Sequence, residues 1–112
     1  MERFGPGAFD GQRLRRPGTC GVAFLADWCP FCRSFGPEFE RLAGTGPFEL
    51  AEADLTDEES PLWERFGIGV VPTVLVFRDG EMTFRRDGRL GRGLEPADLD
   101  ALRAALGRSD SG

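Results

Sequence analysis

The chain has 112 residues, room for one hydrophobic core and too few for two. Apolar residues make up 40%, with ten Phe and two Trp, and charged residues 29%, a balance that excludes intrinsic disorder. A formal net charge of -5 speaks against nucleic acid as a partner, because polyanion affinity needs a clustered basic surface.

All fourteen basic residues are Arg, and Lys, His and Tyr are absent. Chemistry must therefore rest on thiols, carboxylates, guanidinium groups and backbone dipoles. No stretch approaches the roughly 18 apolar residues of a membrane span, so none is expected. The opening MERFGPGAFDGQRL lacks the apolar run of a secretory leader, and three Cys are few for a small secreted domain. A cytoplasmic, reducing setting is the expectation.

Residues 1–19, rich in Gly and Arg with scattered Phe4, Phe9 and Leu14, predict no more than a short edge element or turn. The run VAFLA after Gly21 predicts a strand buried on both faces, ending at Asp27 and Trp28. Phe31, Phe35, Phe39 and Leu42 then mark the apolar stripe of a helix stopping near Gly44, with Pro37 inside it as a source of a kink. Residues 48–55 read as a second strand, and the acidic stretch before Pro61 opens a short helix ending near Phe66 and Gly67, with Trp63 and Phe66 facing the core. Residues 70–77, the turn Asp79-Gly80 and the segment from Glu81 form a hairpin. Glu95-Pro96 opens a last helix striped by Leu99, Leu102 and Leu106 and ended by Gly107, and residues 108–112 are expected to fray. Strand, helix, strand, helix, hairpin, helix predicts an α/β fold, parallel strands with an antiparallel edge, in one domain spanning 1–112.

The spacing Cys29-Pro30-Phe31-Cys32 falls where the first buried strand becomes a helix. Free N–H groups and the dipole at a helix N-terminus favour a thiolate there, which makes Cys29 the nucleophile. Cys32, one turn later, is placed to attack a mixed disulfide formed at Cys29. Pro30 costs no needed hydrogen bond at the first helical turn and stiffens the loop. Two competing readings are a zinc site, for which the ligands are too few, and inert buried cysteines. Cys20 precedes the first core strand and belongs at the sheet end remote from Cys29, as a small core residue.

Residues 26–32, Ala-Asp-Trp-Cys-Pro-Phe-Cys, resemble the Trp-Cys-Gly-Pro-Cys segment of the thioredoxin family. Pro37 resembles that family's helix proline, Val71-Pro72-Thr73 its cis-proline segment, Asp79-Gly80 its hairpin turn and Leu90-Gly91 its second glycine loop beside the substrate groove. The resemblance covers residues 20–107 and implies the thioredoxin fold, a central mixed sheet of four to five strands flanked by helices. It implies thiol-disulfide exchange between Cys29-Cys32 and protein disulfides, a reductase-type electron donor such as thioredoxin reductase, a monomer, and neither metal nor bound cofactor. It further implies a cis Pro72 facing the active-site turn, with the Val71 backbone pairing an extended substrate as an added strand. Trp28, Pro30 and Phe31 beside the nucleophile, and Gly91, complete the expected contact surface; for Trp28 a core-edge role is the alternative.

Three departures qualify the resemblance. Pro-Phe between the cysteines is the glutaredoxin dipeptide, which leads to the expectation of a less reducing pair. Ala23 stands where thioredoxins keep a buried Asp that moves protons for the second thiol, leaving Asp27, Glu49 or Glu52 as substitutes. The family's partner lysine falls at Leu50, so the buried charge couple is expected to be replaced by apolar residues. Arg85, Arg86, Arg89 and Arg92 form a basic cluster, either a solvated face or a site for an acidic partner. The expected activity is that of a dithiol-disulfide oxidoreductase. Its alternatives are a non-catalytic peptide-binding or redox-sensing module and, last, a glutathione-dependent glutaredoxin, whose Gly-Gly-Cys-Asp signature is missing.

Overall fold

The structure, a computed structural model, describes residues 1–107, so the expected fraying of 108–112 lies outside it. The elements in order are β1 (Glu2–Phe4), a 3-10 turn (Pro6–Ala8), β2 (Phe9–Asp10), β3 (Arg13–Leu14), β4 (Thr19–Leu25), α1 (Pro30–Glu40), β5 (Glu49–Asp54), α2 (Pro61–Arg65), β6 (Thr73–Arg78), β7 (Glu81–Asp87) and α3 (Pro96–Leu106). Five strands form one sheet in the order β1-β5-β4-β6-β7, and β2 and β3 pair separately. β1, β5 and β4 are parallel, while β6 and β7 run antiparallel. This is the thioredoxin fold.

Alternation along β4 and β6 divides the core into two layers. Val22, Phe24, Leu75 and Phe77 face a cluster built with Phe9, Leu62 and Phe66, on the side of α2 and the β2–β3 hairpin. Ala23, Val74 and Val76 face the other way, onto Phe35 and Phe39 of α1 and Leu102 and Leu106 of α3. Both strands are apolar at consecutive positions because both of their faces are covered.

The predicted elements are present with shifted ends. The weakly patterned N-terminus supplies the parallel edge strand β1 and a small hairpin whose Phe9 and Leu14 are core residues. α1 ends at Glu40, ahead of the expected Gly44, because the amides of Leu42, Ala43 and Thr45 bond carbonyls three residues back and tighten the chain into turns. β6 begins at Thr73 and not at residue 70, since Pro72 has no N–H to give the ladder. Asp79 and Gly80, at φ 50° and 91°, make the two-residue hairpin turn as expected. Phe66 is buried, but Trp63 is only half-buried.

Candidate active site

Cys29 is the residue that caps α1. Its backbone is extended (φ -97°, ψ 114°), and its Sγ accepts the N–H of Cys32 at 3.2 Å, one of the free amides at the helix start. Pro30 takes the first helical position, where no N–H is required. The Cys29 thiol donates to the Val71 carbonyl at 3.4 Å, and the Val71–Pro72 peptide is cis. The helix start and the loop before β6 thus meet at this sulfur.

Cys29 and Cys32 are free thiols, 4% and 5% exposed. Burial, reinforced by the neighbouring Cys29 sulfur, pushes the Cys32 thiol up to about 12. Cys20 lies at the far end of β4, opposite Phe77 and Glu49, where burial raises its thiol to about 11. That placement agrees with a core role.

Around the buried pair the surface is apolar and open. Trp28 and Phe31 are 49% and 40% exposed. The Trp28 ring stacks on Trp63 at 6.2 Å with an interplanar angle of 9°, and its indole N–H donates to the Thr56 carbonyl at 3.0 Å, so one face is held against the protein while about half the residue is exposed. Trp63 packs against the core cluster as expected and, by the same docking of α2, also backs Trp28 at the rim of the site, a second role that leaves no local signal. Gly91 lies in the turn between Arg89 and Gly93 with open space about it, and neighbouring Leu90 is 88% exposed. The loop residue that touches the Cys-x-x-Cys turn is Gly93, where an added Cβ would fall 2.8 Å from the Cβ of Phe31.

Behind the pair, Cys32 opens onto a cavity of about 450 Å³ lined also by Arg3, Asp27, Glu40, Glu52 and Asp54. The register corrects the expectation for this region: Ala23 pairs with Glu52, and Leu50 pairs with Gly21. The couple is therefore not replaced by apolar groups alone, since β5 brings a carboxylate opposite Ala23. Parallel pairing is fixed by contacts distant in sequence, so the ladder partner of Ala23 is not given by position along the strand alone. Of the three candidate carboxylates, Glu49 is at the Cys20 end of the ladder near Arg16, while Asp27 and Glu52 both face the cavity.

The arginine cluster is occupied internally. Arg85 bonds Asp87 and the carbonyls of Phe66 and Gly67, Arg89 and Arg86 converge on Asp98, and Arg92 meets Glu95. These intramolecular partners, on side chains that stay partly or largely exposed, favour the solvated-face reading. Among the described residues no helix is long and apolar enough to cross a membrane, and no three Cys, Asp or Glu are grouped to hold a metal ion.

A family model, Thioredoxin, matches residues 8–96. Protein disulfide-isomerase A3 of Gallus gallus is 37% identical over 84 residues, 71% of this chain but 16% of that protein. Thioredoxin of Rhodospirillum rubrum is 29% identical over 91 residues, covering 80% of this chain and 88% of that one. Among solved structures, a thioredoxin variant from Halobacterium salinarum NRC-1 superposes with a TM-score of 0.65 at 32% identity, covering 80% of this chain and 73% of that one. Sequence match, sheet order and the capped Cys-x-x-Cys helix facing a cis proline agree, and the chain belongs to the thioredoxin family, whose general activity is thiol-disulfide oxidoreduction.

Proposed function

We propose that the chain exchanges its Cys29-Cys32 dithiol with protein disulfides through a mixed disulfide. The observation that carries this reading is the position of Cys29 Sγ, held at the α1 N-terminus between the Cys32 amide and the Val71 carbonyl. Cys29 as thiolate attacks one sulfur of the substrate disulfide; a Cys29-substrate bond forms and the other substrate sulfur leaves with the electron pair. Cys32 then attacks Cys29 Sγ, closing the internal disulfide and releasing the second substrate thiol. The substrate gains two electrons and the protein dithiol is oxidised.

The rim supports an extended protein segment as substrate. Val71 and Pro72 offer a backbone edge for an added strand, and Trp28, Pro30, Phe31 and Gly91 flank it as contact surface. The name of one relative, a protein disulfide-isomerase, supports protein disulfides as the substrate class. A reductase-type donor returns the electrons, no bound cofactor takes part, and the setting is the reducing cytoplasm.

Reduction of insulin disulfides tests this, with dithiothreitol, thioredoxin reductase plus NADPH, or glutathione as donor. The expected result is turnover with the first two and its loss in Cys29→Ser. Silence with every donor sinks the enzymatic reading in favour of a peptide-binding module; turnover with glutathione alone replaces it by a glutaredoxin-like activity.

A further inference from the structure

Resolution of the mixed disulfide requires Cys32 as a thiolate, and burial of this thiol, 5% exposed, disfavours its charged form, so a base beside it promotes the step. With no His, Lys or Tyr in the chain, a carboxylate is the side chain suited to that role. Asp27, Glu40, Glu52 and Asp54 share the cavity with Cys32.

Three of the four are poor matches. Asp27, Glu40 and Asp54 are exposed. Asp54 also accepts the Thr56 N–H at 2.9 Å, and its bonds with Thr56 hold its carboxyl below the usual range, which weakens it as a proton acceptor. Glu52 differs in burial and place: its side chain is 14% exposed, and it stands across the ladder from Ala23, which offers no polar group.

We propose that Glu52, through water in the shared cavity, is the proton acceptor for Cys32 during resolution of the mixed disulfide at Cys29. The inference rests on the dithiol reading above. A cavity of about 450 Å³ with polar walls has room for the bridging water. The Glu52 carboxylate takes the proton from Cys32 Sγ. The resulting thiolate attacks Cys29 Sγ, the Cys29-Cys32 bond forms, and the Cys29-substrate bond breaks. The departing substrate thiolate takes a proton from water, and Glu52 returns its own to water.

The surroundings of Glu52 suit the task. Burial raises its carboxyl above the ordinary range, Glu40 of α1 and Asp27 of the β4–α1 turn add to that, and Arg3 of β1, at 3.8 Å, and the chain amino group oppose it. Arg33 of α1 and Asp54 of β5 are the remaining charges on the cavity. A carboxylate with raised proton affinity is a better match to a thiol than a solvated one.

The test is stopped-flow reaction of the reduced full chain with a chromogenic aryl disulfide across about pH 5 to 9, a range wide enough to show a raised carboxyl. The first thiol released reports attack by Cys29, the second resolution by Cys32. In the wild type the second phase should rise through an inflection above the ordinary carboxylate range. Glu52→Gln should slow the second phase about 100-fold at neutral pH, the scale of a lost general base, and make it track hydroxide. Glu52→Asp should keep the inflection, and the first phase should be unchanged in both variants. A Glu52→Gln second phase that retains the wild-type inflection, slowed or not, overturns the proposal; so does a loss confined to the first phase. A Cys29→Ser control that still releases both thiols refutes the dithiol reading itself, which keeps the two failures apart.

Discussion

Gly91 and Gly93 both have positive φ, 75° and 64°, but only Gly93 lies against Phe31. An alanine at either position meets the left-handed penalty of roughly 1 kcal/mol. At Gly93 it must also displace the Phe31 ring, adding about 1–2 kcal/mol of overpacking. Gly93→Ala should therefore lower the urea midpoint more than Gly91→Ala and depress insulin reduction, leaving Gly91→Ala the milder of the two. Equal effects would mean that the Phe31 contact is dispensable. In the sequence the two glycines are two residues apart with the same basic neighbours, so the segment identifies a glycine turn without telling which member reaches the site. Cys29, Cys32 and Pro72 were legible because their roles follow from local chain geometry; Gly93, Trp63 and the Ala23–Glu52 pairing arise only when distant elements dock.

At the scale of elements, the start of α3 ties the glycine turn to the sheet. Asp98 accepts the Glu95 N–H at 2.8 Å in a capping box and receives two bonds from Arg89 at 2.9 and 3.2 Å, while itself only 4% exposed. Arg89 bonds the backbone of Gly93 on either side of the turn. The Arg89 guanidinium holds the Asp98 carboxyl below the usual carboxylate range. A depressed folded value means the stabilisation is complete above the ordinary carboxylate range and is lost as pH falls through the folded one. Asp98→Asn should cost about 1 kcal/mol at neutral pH, read as a lower thermal midpoint, and the gap to wild type should close on acidification below about pH 4. A gap that is constant with pH would assign the effect to packing and not to charge. Glu95-Pro96 announced this helix in the sequence, and the twofold-buried runs of β4 and β6 announced the sheet. The partner of Asp98 was not announced, and the arginine that holds it looked instead like part of a basic patch.

For the whole molecule, the segment with the weakest pattern closes one layer of the core. β2 and β3 are two-residue strands, too short for any alternation to show, yet Phe9 is 3% exposed. Its ring lies 5.1 Å from Phe66, 5.8 Å from Phe77 and 6.1 Å from both Phe4 and Phe24. It thus joins the edge strand, both central strands and the residue that ends α2 in one aromatic cluster, which also borders Cys29. Truncating a buried Phe to Ala typically costs about 3–5 kcal/mol, a large part of the 5–15 kcal/mol that holds a domain folded. Phe9→Ala should accordingly shift the urea midpoint sharply downward with the slope of the transition unchanged, because the same surface is still exposed on unfolding. Retention of the wild-type midpoint would show that the hairpin is an appendage and that the sheet with α1 and α3 folds without it; the ring geometry predicts the opposite.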